Sequence, residues 1–275
     1  MTKIFLQIEV SKREEDSRLL LGLLAAEDGH EVYLGDTVKF IKENTEKTGV
    51  FHHTFAVPKK NNLEFFEHLK KNNFIITSQD EEAGIEQKNF DGSKPFDFLK
   101  LRYSDKTFEY LDGVFTWGPF DSKEISNKFA KYKSKIFNTG SPRADLWKTN
   151  FSSYWNTPTS LPKKPYLLIS SNCWNSFQPF HENFKFRKKA GYFDRNPKHL
   201  QNFFGKKSEG YTRTAFFIEA IEYIIKNNEN NYDIVLRPHP TENPDDWKTF
   251  LEDIPNVHVS NEGSITPWVN NTFAV

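Results

Sequence analysis

Short apolar runs alternate with amphipathic stretches along the first half of the sequence. Apolar runs of strand length occupy residues 4–10, 31–34, 50–57, 74–77, 113–117 and 135–138. Between them, the spacing of apolar residues and the flanking signals predict helices at 14–27, 37–44, 63–72 and 122–132. Strands that alternate with helices in this way are typical of a parallel, doubly wound sheet. The pattern therefore predicts an α/β, Rossmann-like domain over residues 1–150.

The second half repeats this pattern after a break. Residues 151–165 are rich in Ser, Thr, Asn and Pro and predict a linker. Strands at 166–170, 233–236 and 257–259 and helices at 214–226 and 247–252 then follow. Residues 172–210 are polar and aromatic, and they predict a functional loop or a partly helical insertion. Three strands leave an exposed edge, so we expect residues 166–275 to form a truncated second domain that further sequence or a second chain completes.

Composition limits the class of protein. The 275 residues include 37 basic and 37 acidic side chains, so no excess of charge favours nucleic acid as a partner. Cys173 is the only cysteine in the sequence, which excludes an internal disulfide and a cysteine-rich metal site. The sequence has no apolar stretch long enough to span a bilayer and no signal peptide. We predict a soluble, cytoplasmic protein.

The most informative segment is residues 234–242, which read Ile-Val-Leu-Arg-Pro-His-Pro-Thr-Glu. An apolar run ends there at a Pro-His-Pro corner, and the start of a helix follows. Open α/β sheets bind ligands at the carboxyl ends of their strands. Pro238 and Pro240 restrict the backbone around His239, so its imidazole and the Arg237 guanidinium suit a phosphate or a carboxylate. The alternative is an ordinary turn, with an exposed histidine and an arginine that caps a neighbouring helix.

Acidic residues follow two strands of the first half. Glu9 and Glu14 flank the end of the first strand, where a capped helix start explains them as well as a site does. Asp80, Glu81 and Glu82 follow the fourth strand. Adjacent carboxylates repel one another, so one of them could have a raised pKa and act as an acid or a base. Alternatively, all three belong to an acidic helix N-terminus.

Two further clusters also lie at predicted strand ends. Asp145 closes the segment Gly-Ser-Pro-Arg-Ala-Asp after the last strand of the first half, and a carboxylate there would face an interdomain cleft. Alternatively, Asp145 is the N-cap of a short helix at 146–147. Ser171 and Asn172 follow the first strand of the second half. Their side chains and backbone donors could hold a phosphate, although Ser and Asn are also ordinary loop residues.

Several familiar signatures are absent from the sequence. It contains no P-loop, no Gly-x-Gly-x-x-Gly and no His-Glu-x-x-His. His52 and His53 are adjacent, but neighbouring residues on a strand point to opposite faces. We therefore predict neither a metal site nor a bound cofactor.

Six short motifs follow one another along the chain: Arg13-Glu14, Ser17-Arg-Leu-Leu-Leu21, Asp80-Glu-Glu82, Thr139-Gly-Ser-Pro-Arg-Ala-Asp145, Leu236-Arg-Pro-His-Pro240 and Ser264-Ile-Thr-Pro-Trp268. In this order they resemble the bacterial surface carbohydrate biosynthesis proteins. That family is similar to the retaining β-Kdo glycosyltransferases of capsule and lipopolysaccharide assembly, which have a GT-B fold. The ordered set carries the resemblance over most of the chain, because teichoic-acid polymerases and other GT-B enzymes have similar Arg-Pro-His-Pro corners.

The resemblance implies a GT-B-like fold of two Rossmann-like domains that face each other across a cleft. The first domain would lie on the acceptor side and the second would bind the nucleotide sugar. His239 and Pro240 match the motif that holds the CMP part of a CMP-sugar donor, and Glu82 matches an acidic position that faces the acceptor. Asp145 is the candidate nucleophile, because retention by double displacement needs a carboxylate that can bond the anomeric carbon. Family members continue beyond the Ile-Thr-Pro-Trp motif, which is the reason to expect truncation.

We therefore predict a glycosyltransferase that transfers a sugar, such as Kdo or a related acid from a CMP donor, to a surface polysaccharide or a glycolipid such as lipopolysaccharide. Association with the inner face of the membrane is a further expectation. Two alternatives stay open: a polyol-phosphate transferase that uses CDP-glycerol, and a non-catalytic partner that binds a sugar nucleotide or a glycan. The predicted catalytic residues are Asp145, Glu82 and Glu81, and the predicted nucleotide-binding residues are Arg237, His239, Pro240, Ser171 and Asn172.

Overall fold

The computed structural model describes residues 1–44, 48–81, 102–173, 180–189, 193, 198–228, 231–240 and 242–275. The chain divides into two compact units, Met1–Ser153 and Tyr154–Val275. Each unit has its own parallel sheet and its own buried core. Within these ranges, no helix combines the length and the apolar character needed to cross a membrane.

The first unit is built on a six-stranded parallel sheet. Its strands are β1 Lys3–Gln7, β2 Glu31–Gly35, β3 Gly49–His53, β4 Phe74–Gln79, β5 Gly113–Thr116 and β6 Ile136–Asn138. Its described helices are α1 Ser11–Glu27, α2 Thr37–Asn44, α3 Lys60–Lys71, α4 Asp105–Tyr110, α5 Pro119–Lys128 and α6 Pro142–Asp145, with 3₁₀ turns at Ala130–Lys135 and Thr149–Tyr154. The strand order β2-β1-β3-β4-β5-β6 places β2 and β3 on opposite sides of β1. This is the doubly wound arrangement that the strand–helix alternation predicted.

Aromatic side chains form much of the core of the first unit. Phe5 on β1 is fully buried and stacks on Tyr33 of β2, with ring centroids 4.8 Å apart. Phe51 on β3 meets the ring of Phe65 from α3 edge-on at 5.3 Å. A buried aromatic side chain removes about 150–250 Å² from water. Six phenylalanines of this unit are therefore core residues: Phe5, Phe51, Phe65, Phe66, Phe74 and Phe108.

The second unit has a three-stranded parallel sheet in the order β7-β8-β9. Its strands are Tyr166–Ser170, Asp233–Arg237 and Val257–Val259, and its described helices are α7 Phe180–Lys189, α8 Lys198–Lys226, α9 Pro244–Phe250 and α10 Thr266–Asn271. Ile234 and Leu236 on one face of β8 cluster with Trp247 of α9. Val235 on the other face clusters with Trp268 of α10. A strand covered on both faces carries a continuous apolar run, which made β8 easy to predict.

Residues near the end of the sequence line the outer edge of β7. Leu168 N donates to Ala274 O at 3.0 Å, and Phe273 N donates to Tyr166 O at 3.3 Å. The strand pattern predicted an unpaired edge, and at β7 that edge is partly paired by these residues. The pairing is short and lacks an apolar run of strand length, so the pattern of the sequence gave no sign of it.

Most of the described residues between 172 and 210 are helical. α8 begins at Lys198 rather than at residue 214 and runs for 29 residues. Its buried residues Phe203, Lys207, Gly210 and Thr214 recur at every third or fourth position, which is the spacing of one helix face. A lysine and a glycine on that face conceal the apolar pattern in the sequence. Of the two interpretations of this segment, the partly helical insertion describes α7 and the first half of α8.

Candidate functional site

The carboxyl edge of the six-stranded sheet carries a buried pair of opposite charges. Arg18 on α1 and Glu81, which follows β4, form an ion pair with 2.9 Å between Nη2 and Oε1. The two side chains are 0% and 2% exposed. Charges removed from water to this extent are costly unless they are matched, so each residue offsets part of the cost of burying the other.

Contacts from neighbouring loops fix the position of Glu81. Its backbone N donates to Thr54 O at 3.0 Å, and its carbonyl accepts from Arg143 Nη1 at 2.8 Å. The Arg143 guanidinium, from α6, also lies 3.9 Å from Glu81 Oε2 and 5.6 Å from the ring centroid of Trp117. Trp117 Nε1 in turn donates to Asp80 O at 2.8 Å. The loops that follow β3, β4, β5 and β6 are thereby tied together around Glu81.

A second charged pair lies at the start of α1. Glu14 is fully buried, and its Oε2 accepts from Glu9 N at 2.7 Å and from Val10 N at 3.4 Å. Its Oε1 accepts from Arg13 Nη2 at 2.6 Å. Glu14 therefore caps α1, and its negative charge is favourable at a helix N-terminus. The cluster lies at the start of α1, as one of its two interpretations predicted.

Burial shifts the ionisation of these groups. Burial raises the pKa of Glu81, although the positive charges of Arg18 and Arg143 oppose the shift. Burial also lowers the pKa of Arg18 and of Arg143, and the charge of Glu81 opposes that shift. A carboxyl group with a raised pKa was expected among the three adjacent acidic residues. Its main cause is desolvation, and Glu14 is the carboxylate that adds to it.

Several buried polar atoms in this unit lack a hydrogen-bond partner within the described ranges. Near the carboxyl edge they are Arg18 Nε and Nη1, Glu81 Oε2, His52 Nε2, Ser78 Oγ, Ser141 Oγ and Arg18 Nη2, whose contact with Glu81 is an ion pair without hydrogen-bond geometry. Two others, His30 Nδ1 and Tyr132 Oη, lie just before β2 and β6. Most buried polar atoms in proteins are paired, and each exception costs about 1–3 kcal/mol. Most of these atoms lie at the carboxyl edge of the sheet or on Arg18, which pairs with Glu81 there, and this makes that edge the leading candidate site.

His52 and His53 end β3 and are both buried. His52 Nδ1 lies 2.9 Å from Thr77 Oγ1, and His53 Nδ1 accepts from Phe55 N at 3.3 Å. Burial and the nearby Arg18 lower the pKa of both imidazoles, and the pKa of His53 falls to about 3. Both rings are therefore neutral near pH 7. Among the residues that the structure describes, no group of three or more His, Cys, Asp or Glu side chains could hold a metal ion.

The three adjacent acidic residues have different surroundings. Asp80 pairs with the Arg102 guanidinium, while Glu81 pairs with Arg18. Glu82, the predicted acid or base, lies outside the described residues. The structure thus assigns ion pairs to the first two and leaves the role of the third as a prediction.

Asp145, the predicted nucleophile, is the last residue of α6. The N-cap of that helix is Ser141, so the alternative interpretation of Asp145 as an N-cap is wrong. Its side chain is 46% exposed, and its Oδ1 accepts from Lys148 Nζ at 2.6 Å. α6 also carries Arg143, which binds the backbone of Glu81. Asp145 is therefore an accessible carboxylate on the helix that braces the buried pair.

The carboxyl edge of the three-stranded sheet is organised around one buried carboxylate, that of Glu242. Its Oε2 accepts from Ser171 Oγ at 2.5 Å, from Trp247 Nε1 at 2.8 Å and from His239 N at 3.3 Å. Its Oε1 accepts from Cys173 N. Glu242 joins the end of β7, the Pro-His-Pro corner and α9. The sequence reasoning missed this residue, although a carboxylate directly after a predicted buried strand and a rigid turn was a usable signal.

Arg237 ends β8, and its guanidinium binds the loop that follows β9. Nη1 and Nη2 donate to Glu262 O at 2.8 Å and to Gly263 O at 2.9 Å. The group lies 5.1 Å from the ring centroid of Trp268, and burial lowers its pKa to about 10. Arg237 therefore braces the Ser264–Trp268 motif region, and its predicted contact with a nucleotide stays a prediction.

The other predicted nucleotide-binding residues lie at or beside the Glu242 network. His239 is half-buried and Pro240 is exposed. Ser171 is buried with its hydroxyl on Glu242. Asn172 is exposed, and its carbonyl accepts from Arg213 Nη1 at 3.2 Å. The structure thus brings His239 and Ser171 to one carboxylate.

Glu262 is a further organising residue that the sequence reasoning missed. Its carboxylate accepts hydrogen bonds from the backbone N and the hydroxyl of both Thr159 and Ser160, at 2.6–3.1 Å. These bonds lower the pKa of Glu262 to about 2. Part of the segment predicted as a linker is therefore fixed to the loop after β9.

Comparison with known proteins identifies the fold. No family model and no curated protein matches this sequence. The structure of S. aureus MnaA with UDP is similar at 12% identity and a TM-score of 0.57, covering 99% of this chain and 73% of that one. A UDP-N-acetylglucosamine 2-epimerase is similar at 11% identity and a TM-score of 0.50, covering 98% of this chain and 71% of that one. Identities this low show the fold alone, and the predicted α/β, GT-B-like fold class is confirmed.

Proposed function

We propose that this protein is an enzyme that acts on a nucleotide sugar, and that it is a glycosyltransferase. The observation that carries the proposal is the buried Arg18–Glu81 pair at the carboxyl edge of the sheet, braced by Arg143. Open α/β sheets bind ligands at this edge, and buried titratable groups with shifted pKa values are common at functional sites. The likeness of fold to a protein solved with UDP supports a nucleotide sugar as the substrate.

In the proposed reaction, the Asp145 carboxylate attacks the anomeric carbon of the donor. The bond between that carbon and the phosphate oxygen breaks, and the nucleotide leaves with the bonding electrons. An acceptor hydroxyl then attacks the same carbon, releases Asp145 and gives its proton to a carboxylate. Two inversions at one carbon retain the configuration. The exposure of Asp145 suits a nucleophile, and we assign the proton transfer to Glu82.

Glu81 then serves mainly to position its neighbours. Its side chain is closed to solvent and bound to Arg18, so it orders the loop after β4 and supplies negative charge beside two arginines. The raised pKa of Glu81 keeps it available as a proton acceptor if its pair with Arg18 opens. This assignment rests on the burial of the Glu81 side chain.

We assign the nucleotide to the Pro-His-Pro corner of the second unit. Glu242 binds the backbone N of both His239 and Cys173, which fixes the loops that carry His239, Ser171 and Asn172. A rigid imidazole can donate a charge-assisted hydrogen bond to a phosphate, worth about 1.5–3 kcal/mol. Arg237 would support this site by holding the loop after β9 through its hydrogen bonds to Glu262 and Gly263.

The donor that we favour is a CMP-linked acid of the Kdo type, and the acceptor is a surface glycan or glycolipid. The resemblance of the six motifs to those of the surface carbohydrate biosynthesis proteins supports this choice. A second candidate is a 2-epimerase of a UDP-linked sugar, which the likeness to a UDP-N-acetylglucosamine 2-epimerase favours. An epimerase needs no acceptor, so the two candidates predict different reactions.

Thermal unfolding with CMP, CDP, UDP and GDP tests nucleotide binding. A ligand at 100 times its Kd adds about 2.7 kcal/mol to the free energy of unfolding, and we expect CMP to give the largest shift. His239→Ala should weaken binding of that nucleotide roughly tenfold to a hundredfold. His181→Ala, at an exposed position of α7, is the control and should bind normally. No response to any nucleotide would contradict the proposal.

Turnover of the matching nucleotide sugar separates the candidates. Transfer that requires a glycan acceptor supports a glycosyltransferase, and conversion of the donor without an acceptor supports an epimerase. Transfer from CDP-glycerol, or binding without turnover, would support the remaining two alternatives. For a glycosyltransferase, Asp145→Asn should lower kcat by orders of magnitude and leave nucleotide affinity intact. Asp28→Asn, after α1, is the matched control.

A further inference from the structure

The helices α7 and α8 carry exposed aromatic rings beside lysines. We define the basic aromatic surface by Phe180, Lys185, Phe186, Lys188, Lys189, Phe204, Lys206 and Tyr211. Phe186 is 74% exposed, Tyr211 is 54% exposed and Phe204 is 49% exposed. Folded proteins in water seldom leave a group of such side chains uncovered without a partner for them.

The packing of α7 explains why Phe186 faces away from the core. Phe180 and Phe184 pack against Phe203 of α8, with ring centroids 5.7 and 5.8 Å apart. Phe186 is two positions beyond Phe184, and two positions on a helix turn the side chain through about 200°. Lys189 lies three positions beyond Phe186 and shares its face. The inner face of α7 is therefore apolar, and its outer face combines an aromatic ring with lysine side chains.

Phe204 extends the surface onto α8. Its ring centroid lies 5.4 Å from that of Phe180, which makes the aromatic area continuous between the two helices. Tyr211 lies two helical turns beyond Phe204 on the same side of α8. Phe203, the neighbour of Phe204, is buried against α7. One phenylalanine of the adjacent pair is thus a core residue and the other is exposed.

The charge of this surface differs from that of the whole chain. The chain has equal numbers of basic and acidic residues, whereas α7 carries Lys185, Arg187, Lys188 and Lys189 against one carboxylate, Glu182. Lys185, Lys188 and Lys189 are exposed and form no ion pair with any residue that the structure describes. Unpaired positive charge beside exposed apolar rings therefore distinguishes this part of the second unit.

We propose that the basic aromatic surface binds an anionic lipid bilayer. Lysine ammonium groups are attracted to anionic headgroups, while their methylene chains and the aromatic rings lie among the headgroups and the upper acyl chains. The hydrogen-bonding groups of this surface are four lysine ammonium groups and one tyrosine hydroxyl, which suit anionic headgroups. The association would be peripheral, since each helix contributes one face. It does not depend on the reaction proposed above.

Sedimentation with vesicles tests this proposal on the full chain. We expect binding to vesicles that contain 30% phosphatidylglycerol in phosphatidylcholine, little binding to phosphatidylcholine alone, and release by 0.5 M salt. Each lysine near an anionic surface changes the partition coefficient roughly fivefold. Lys185→Glu with Lys189→Glu should therefore weaken binding by at least about twentyfold. Phe186→Ser should weaken it severalfold at low salt.

Matched variants separate this surface from a general effect of charge or apolar area. Lys106→Glu with Lys133→Glu makes the same change of charge on exposed residues of the first unit. Tyr223→Ser removes an aromatic ring that is 70% exposed farther along α8. Both controls should bind vesicles normally, and each variant should keep the melting temperature of the wild type. Equal binding to uncharged vesicles, equal loss in the controls, or binding to single-stranded nucleic acid without binding to vesicles would overturn the proposal.

Discussion

Arg18 Nη2 lies 2.9 Å from Glu81 Oε1, in an ion pair that joins α1 to the end of β4 and is almost closed to solvent. A buried ion pair adds little net stability relative to apolar residues of the same shape. Removal of one partner is costly, because the other charge stays buried without compensation. The pair therefore holds the loop after β4 in one position, where Arg143 also binds it.

Arg18→Met should lower the free energy of unfolding by about 3–5 kcal/mol, because Glu81 loses its matching charge. Arg18→Met combined with Glu81→Gln should recover part of that loss. Urea unfolding of the three proteins measures both effects. Lys39→Met is the control, since Lys39 pairs with Glu43 on the exposed surface of α2 and should change stability by less than about 1 kcal/mol. A single variant as stable as the wild type would show that the pair does not persist in solution.

Gly49 at the start of β3 is required by its conformation and its neighbours. Its φ is +153°, and a Cβ there would lie 2.8 Å from both Lys3 O and the Phe5 ring. Gly49→Ala should therefore destabilise the first unit by about 2 kcal/mol or more, through strain and a displaced core ring. Gly118→Ala is the control, because a Cβ at that position has no neighbour within 4 Å. Chemical denaturation compares them, and equal effects of the two variants would contradict the steric argument.

The fold could be predicted because its strands are parallel and its central strands are mostly buried. β4 and β8 begin as apolar runs, and polar or proline residues mark where these runs end. Both strands can therefore be located from the sequence. The alternation with helices then restricts the topology, since parallel strands need crossover connections. Residues 180–210 were harder, because a buried lysine and a glycine interrupt the apolar face of α8.

The candidate site could be predicted only in part, and α1 shows the reason. This helix buries Glu14, Ser17 and Arg18, whereas Leu19 and Leu23 are exposed. Its polar residues are inside, which is opposite to what an amphipathic pattern indicates. The charges are tolerated because Glu14 meets backbone N–H groups and Arg18 meets Glu81. Partners so distant in sequence cannot be recognised from spacing. Strand ends indicated Glu81, whereas Arg18 entered only as part of the Ser17–Leu21 motif, without a role of its own.

His52 and His53 should make the protein less stable in mild acid. Their folded pKa values are lowered, that of His53 to about 3. Below pH 6.5 the unfolded chain therefore binds protons that the folded chain does not, and the free energy of unfolding falls as the pH falls. Each histidine contributes a slope of up to about 1.4 kcal/mol per pH unit in this window. Glu81 acts in the opposite direction, because its folded pKa is raised and its protonation favours the folded state.

Urea unfolding between pH 7 and pH 5 measures this slope for the wild type and for His53→Gln. The variant removes one of the two buried imidazoles. The number of protons taken up on unfolding should therefore fall by about one, and the slope of the unfolding free energy against pH should fall with it. His68→Gln, on the exposed side of α3, should keep the slope of the wild type. If His53→Gln also keeps it, water reaches His53 in the folded protein and the burial argument is wrong.

Glu242 should be more important for the Pro-His-Pro corner than His239 itself. Glu242→Ala removes the acceptor for Ser171 Oγ, Trp247 Nε1 and the backbone N of His239 and Cys173. Buried donors without an acceptor cost about 1–3 kcal/mol each, and some regain water after the change. We therefore expect a loss of about 2–5 kcal/mol in the free energy of unfolding of the second unit. Glu242→Gln keeps one acceptor oxygen and should lose less.

Glu242→Ala should also increase the local motion of the Pro-His-Pro corner by more than the loss of global stability accounts for. Amide hydrogen exchange should speed up at His239 and Cys173, whose N–H groups bond to the carboxylate. Exchange within β8, whose amides pair with β7 and β9, should increase only as much as the lower global stability requires. Glu252→Ala, at an exposed position after α9, should leave both regions unchanged. Protection at His239 and Cys173 that falls no more than that of β8 would mean that Glu242 contributes to folding alone and does not fix the corner.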